Sequence, residues 1–327
     1  MNTPLVTDDL ASELTEPVLA LAEAARAVDG VAPLSEHTVL RVRHGAPAGS
    51  SRFHVLRGTD PTASIIGFAF VERVEDEPDS GEVVVHPEHR GRGLGTALLR
   101  SVREDAGPRG VRVWAHGRTK GAVSVAEAAG WEPVRELHKM RMPLRDLGAE
   151  VPGGPWSAPE LPEPELRPEV AEKVRIRPFV VGQDEQAWLD ANARAFSDHP
   201  EQGSLTLDDL LQREIEDWFD PRGFFVAATT SGGIAAYHWT KTHADGAGLS
   251  DDESVGEVYV VGVDPAWQGT GLGRALTLAG LRHLRDRGLP WVHLYVDGDN
   301  EAAVRLYESL GFSMWDTDVM YAPVRQG

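Results

Sequence analysis

Glu257 opens Glu257–Val263, an apolar, β-branched run that reads as a buried strand. A carboxylate beside such a run could have a raised pKa and act as a base; the competing reading is a strand-end acid facing solvent. Pro265 follows, then Gly269, Gly271 and Gly273, then a stretch whose apolar positions recur at helical spacing. Glycines between a strand and a helix N-terminus leave backbone N–H groups free and let a ligand's phosphates approach closely. The run lacks the Lys-Ser/Thr that ends an NTPase phosphate loop and the early strand–helix–strand setting of a dinucleotide fingerprint. Tyr307 lies two helical turns after Asn300, so its phenol either donates a proton to a leaving group or simply packs. Asn300 suits a helix N-cap, and Arg305 faces another way.

Other chemistries find less support. There is no cysteine, which removes disulfides, thiolate ligands and cysteine nucleophiles. His199 and His238 are candidate metal ligands, but without cysteines or an H-x-x-x-H pattern no metal is expected. His293 reads as a packed or hydrogen-bonded strand imidazole. The formal charge of −19 argues against nucleic acid or an anionic membrane as partner. The first fifteen residues have no apolar stretch of the signal-peptide kind, and no run approaches a membrane span. A soluble cytoplasmic protein, and a monomer, is the expectation.

The chain repeats itself. Pro87, Arg90, Gly93 and Gly95 lie 178 residues before Pro265, Gln268, Gly271 and Gly273, and three of these four positions are identical. With the offset grown to 181, Val111–Ala115 matches Val292–Val296, and Thr119–Trp131 parallels Asn300–Phe312. Residues 146–172, rich in Pro, Glu and Gly with no apolar period, read as a linker between domains at 1–145 and 173–327. Each half orders its strands and helices as a mixed α/β sheet with helices on both faces.

The spacing Gln268-x-x-Gly271-x-Gly273 after a strand ending in V-x-P resembles the acyl-CoA pyrophosphate loop of the GNAT acetyltransferase superfamily. DGVAPLSE near residue 30, HPEQG at 199–203, HWTK at 238–241, GEVYVVGVDP and LYVDGDNEAAVRLYESLGF resemble the actinobacterial mycothiol acetyltransferase family, over both halves. The resemblance implies two tandem GNAT-type domains and transfer of acetyl from acetyl-CoA to the cysteinyl amine of desacetylmycothiol, a cysteine joined to glucosaminyl-inositol. It places the chemistry in the C-terminal domain, with Glu257 as base and Tyr307 as acid. The amide of Val261 would polarise the carbonyl. Substrate contacts fall by resemblance on Glu36, Glu201, Lys241, Glu257 and Tyr295. Acetyl-CoA contacts fall on Val261, Gly262 and Val263, on Gln268, Gly269, Thr270, Gly271, Leu272, Gly273 and Arg274, and on Asn300, Glu301, Ala302, Ala303, Val304 and Arg305.

The N-terminal copy departs from this pattern. The offsets set Asp79, in an acidic loop, opposite Glu257, and Ala126 opposite Tyr307. Its glycine loop survives with arginines suited to phosphate, so it could hold acetyl-CoA through Val83, Val84 and Val85 and through Gly91, Arg92, Gly93, Leu94, Gly95 and Thr96. Catalytic silence is expected of it. Two alternatives stay open: an acetyltransferase for another amine, such as an aminoglycoside or a peptide N-terminus, and a non-catalytic acyl-CoA-binding protein.

Overall fold

The computed structural model describes residues 3–58, 65–73, 77–151, 153–197, 200–203, 205–246, 249–250 and 253–324. They form two compact units. The first comprises the described residues of Met1–His138, Asp297–Asp299 and Asp316–Gly327; the second comprises those of Lys139–Val296 and Asn300–Trp315.

The first unit runs β1 (Leu5–Thr7), α1 (Thr15–Asp29), α2 (Glu36–His44), β2 (Ser51–Arg57), β3 (Ile65–Glu72), β4 (Asp79–Val85), α3 (Leu94–Ala106), β5 (Val111–Ala115) and α4 (Lys120–Ala129), followed by the start of β6 (Trp131–Pro143). Local sequence sets these limits. Gly30 ends α1 at φ 73°, and Ser35 caps α2 by accepting from Thr38 N–H. Thr119 does the same for α4. β1 to β4 pair antiparallel in order, and β5 lies parallel to β4. One face of the sheet buries Leu14, Val18, Leu21, Phe53 and Phe68 with α1; the other buries Leu56, Leu98, Val102 and Val113 with α3.

The second unit continues through α5 (Pro168–Ala171), β7 (Val174–Pro178), α6 (Glu185–Ala195), α7 (Pro200–Gly203), α8 (Leu207–Glu214), β8 (Phe224–Thr229), β9 (Ile234–His243), β10 (Val255–Val263), α9 (Leu272–Asp286), β11 (Trp291–Asp297), α10 (Glu301–Ser309) and β12 (Ser313–Pro323). Strands β7 to β10 pair antiparallel in sequence order, and β11 joins β10 in parallel. From Asp316 onward the chain belongs to the first unit, where Val319, Met320 and Tyr321 pair antiparallel with β5. The Pro/Glu/Gly-rich stretch is not a free tether. Leu161 is buried among Met142, Leu281 and Leu310, Val170 among Val174 and Leu276, and Leu147 bridges to Trp156. Such single apolar anchors have no period to read. Thr206 and Asp209 form a full capping box at the start of α8.

Candidate functional site

The second unit's site is built where three strands meet. Register places Lys241 of β9 beside Glu257 of β10, and Glu257 beside His293 of β11. Tyr259 is then an extra residue. Pairing with β9 passes from Val258–Thr240 to Val260–Trp239, a β-bulge that bends β10. β11 accompanies β10 through Gly256, Glu257 and Val258, while Val260, Val261, Gly262 and Val263 continue along β9. The parallel strands therefore part after Val258, one residue beyond Glu257, and Val261–Val263 form the edge of the opening.

Glu257 is only 7 % exposed, and its Oε2 lies 2.6 Å from His243 Nε2. Burial pushes its carboxyl upward, but the His243 hydrogen bond and the fields of His293, His243 and Lys241 outweigh that, so it sits below the ordinary carboxylate range. This corrects the raised pKa anticipated from a carboxylate beside an apolar run: the flanking strands supply basic side chains that a reading of β10 alone does not weigh. Lys241 is buried, its Nζ 4.6 Å from the Trp218 ring centroid and 5.3 Å from that of Tyr259. His293 is buried too, and burial lowers its pKa to about 4, so its imidazole is neutral. Its ring lies 5.1 Å from His243 and 5.7 Å from Tyr295, which is 44 % exposed and has Lys139 Nζ 5.8 Å from its centroid. His243 and Tyr259 were not singled out from sequence. The signal for His243 was there: it lies two residues beyond Lys241, on the same face of an alternating strand.

Tyr307 both packs and keeps its proton. Its ring meets Phe312 edge-on at 5.6 Å within the core that includes Val258 and Leu294, and burial raises its pKa to about 12. Asn300 caps α10 by accepting from Ala303 N–H at 3.1 Å. Arg305 forms an ion pair with Glu301 at 2.8 Å on the exposed face of α10, beside Ala302 and Val304 in sequence.

The glycine loop begins with Asp264, which accepts from Ala266 N–H and closes the turn Pro265–Trp267. Gly269 at φ 71° and Gly271 at φ 92° hold left-handed conformations, and a Cβ at either would touch nothing within 4 Å. Backbone conformation rather than crowding demands glycine here. Gly271 caps α9 without any side-chain acceptor, so no capping side chain takes up the first-turn N–H groups of Leu272, Gly273 and Arg274. Arg167 donates to the carbonyls of Gly269 and Thr270, at 3.1 and 3.3 Å. Arg274 donates to Ser309 Oγ at 2.9 Å.

The first unit repeats the loop but not Glu257 or Tyr307. Gly93, at φ 76°, caps α3 without a side-chain acceptor. Val83, Val84 and Val85 with Gly91, Gly93, Leu94, Gly95 and Thr96 line a cavity of about 440 Å³. Arg90 also lines it, Arg92 does not, and both are engaged: Arg90 makes two 2.7 Å bonds to Asp29, and Arg92 donates to Glu88 O at 3.2 Å. The residue opposite Glu257 is not Asp79. Glu72–Ser80 and Val71–Gly81 in β3–β4 mirror Lys241–Glu257 and Thr240–Val258 in β9–β10, but Phe70–Glu82 follows without a bulge. Without the bulge residue the count slips by one, and Ser80 stands where Glu257 would. Asp79 opens β4 rather than lying in a loop, and bonds Arg109 at 2.9 Å. Ala126 is buried at the position matching Tyr307.

His116, on the wall of that cavity, bonds Glu82 at 2.9 Å and Asp318 at 3.1 Å. Burial works against its charge, but the hydrogen bonds and fields of Asp318 and Glu82 prevail, raising its pKa to about 9. A raised histidine pKa stabilises the fold fully below the unfolded value near 6.5, and that contribution is lost as pH rises through about 9. Thermal unfolding of the first unit should therefore move to lower temperature between those pH values, with the decline reduced in His116→Gln. Equal pH slopes in parent and variant would sink this assignment.

Of the remaining candidates, His199 lies outside the described residues, as do the side chains of Glu36, at the start of α2, and Glu201, in α7. Gln202, beside Glu201, is tied to Asn192 through two hydrogen bonds. His238 is fully buried, with Nδ1 2.9 Å from Leu276 O, a structural position.

The model described as Acetyltransferase (GNAT) family matches residues 186–312, and one described as Acetyltransferase (GNAT) domain matches residues 49–133. The chain is 81 % identical over 325 residues to mycothiol acetyltransferase of Nocardiopsis dassonvillei, covering 99 % of this chain and 98 % of that protein. It is 59 % identical to mycothiol acetyltransferase of Thermobifida fusca, covering 99 % of each. A GCN5-related N-acetyltransferase from Sphaerobacter thermophilus superposes with TM-score 0.67 at 25 % identity, covering 100 % of this chain and 98 % of that one. A tandem GNAT protein from the clavulanic acid pathway shares the fold, with TM-score 0.65 at 17 % identity over 99 % of this chain and 100 % of that one. Among the described residues no helix is long and apolar enough to cross a membrane.

Proposed function

Because the chain belongs to the mycothiol acetyltransferase family, built of two GNAT domains, we propose that it moves the acetyl group of acetyl-CoA to the cysteinyl amine of desacetylmycothiol, giving mycothiol and CoA, in its second unit. The observation that carries the site assignment is a buried, ionised Glu257 at the point where β10 and β11 part. The acceptor's ammonium gives a proton to Glu257, and the freed amine attacks the thioester carbonyl. The amide of Val261 polarises that carbonyl from the open strand edge. The C–S bond then breaks, Tyr307 protonates the departing sulfur, and solvent restores the phenol. The second proton shed by the nitrogen leaves to solvent. Lys241 and Tyr295 flank Glu257 as donors for a polyhydroxylated acceptor, while the N-terminus of α9 holds the donor's pyrophosphate.

The test is acetyl transfer to desacetylmycothiol beside an aminoglycoside and a peptide amine. Turnover should be confined to desacetylmycothiol; transfer to either of the others alone would overturn the acceptor assignment. Tyr307→Phe keeps the ring and removes the hydroxyl. It should lower kcat about 10²-fold, at the low end for a proton donor because a thiolate leaves readily. A rise confined to the KM for acetyl-CoA would make Tyr307 a positioning residue instead.

A further inference from the structure

His243, Glu257 and His293 make a set that acetyl transfer does not use as a set. One ligand atom from each can be chosen so that all three lie within 4.8 Å of one another. His293 Nε2 is buried and has no hydrogen bond among the described residues, an unsatisfied group that asks for a partner. Two imidazoles and a carboxylate are zinc-class ligands, bound at roughly 2.0–2.2 Å, which sets ligand atoms about 3.3 Å apart in a tetrahedral site. Binding would draw the three ligand atoms from within 4.8 Å to that spacing. We propose that His243, Glu257 and His293 form a site for a divalent transition cation of the zinc class, and that this cation competes with the acceptor amine for Glu257.

Chemistry and position both favour such a site. Register sets Glu257 directly beside His293, and His243 reaches Glu257 from β9. The hydrogen bond between His243 Nε2 and Glu257 Oε2 at 2.6 Å would have to open for both to reach one cation. Lys241 opposes a second cation, because its charge also acts on Glu257. That field makes the site a reversible, inhibitory one rather than the seat of a permanently held ion. Three protein ligands leave a fourth position to water. The site itself rests on geometry; only the competition rests on Glu257 acting as base.

The experiment uses the full-length, chelator-treated protein. Co²⁺ is followed by its visible absorption and Zn²⁺ by calorimetry and by acetyl-transfer rate. The expected result is one equivalent bound, with the intense absorption of four-coordinate Co²⁺. His293→Gln and His243→Gln should each weaken binding at least about tenfold, since loss of even an outer partner costs 10–100-fold. Zn²⁺ should inhibit the parent reversibly, with chelator restoring the rate. Absence of binding in the parent, or unchanged affinity in both variants while circular dichroism shows them folded, would overturn the site. Binding without inhibition would overturn the competition and the base role of Glu257, and would leave the site standing.

Discussion

Glu257→Gln should reduce turnover by roughly 10²–10⁴-fold, the usual contribution of a general base, with acetyl-CoA affinity nearly unchanged. Glutamine fills the same volume and can still meet His243 Nε2, so packing of the strand row is preserved. What disappears is the acceptor for the ammonium's proton. The direction of the Glu257 shift sharpens the pH dependence. Its carboxyl lies below the ordinary range because His243, His293 and Lys241 outweigh the effect of burial. The carboxylate is therefore ionised throughout the neutral range, and the acid limb of kcat/KM should follow the acceptor amine rather than Glu257. The loss in Glu257→Gln should shrink toward alkaline pH, where the amine is already neutral. A variant turning over near the parent rate at neutral pH would remove Glu257 from the mechanism.

Much of the fold is legible because local signals agree with it. Ser35, Thr119 and Asn300 each cap the helix that follows, and Gly30, Gly130 and Gly288 take positive φ where a helix has run out. Strands Val111–Ala115 and Val174–Pro178 fall where alternation and β-branching place them. The segment between the halves is harder, since Leu147, Leu161 and Val170 are isolated anchors whose burial depends on distant partners. The β-bulge at Tyr259 is harder still. A single inserted residue leaves no mark in composition, yet it separates the halves: it opens the strands beside Glu257 and moves the matching position in the first unit from Asp79 to Ser80.

The site follows the same division. Spacing reveals the glycine loop because a positive φ at Gly269 and Gly271 restricts residue type directly. The surroundings of Glu257 depend on three strands being placed side by side, so its depressed pKa and its contact with His243 wait for the register. Arg90 shows the opposite error. An arginine in a phosphate-type loop suggests a ligand contact, but Asp29, from the end of α1, claims both of its outer nitrogens.

Gly271→Glu should abolish acetyl transfer. A non-glycine residue at φ 92° is strained by about 1–2 kcal/mol, and a carboxylate at the N-terminus of α9 repels the pyrophosphate of the donor. The strain weakens folding alike with and without donor, whereas the repulsion acts only on the bound donor and should lower kcat/KM by at least about 10²-fold, each 1.4 kcal/mol being tenfold. Gly93→Glu makes the same change at φ 76° in the first unit, where Ser80 and Ala126 stand in place of Glu257 and Tyr307, and should leave kcat/KM near the parent value. Each variant should lose acetyl-CoA binding only in its own unit. The decisive measurement is kcat/KM for the two variants side by side, with acetyl-CoA stoichiometry from calorimetry. An inactive Gly271→Glu with an active Gly93→Glu places the reaction in the second unit; an inactive Gly93→Glu with a Gly271→Glu that still turns over would contradict that placement.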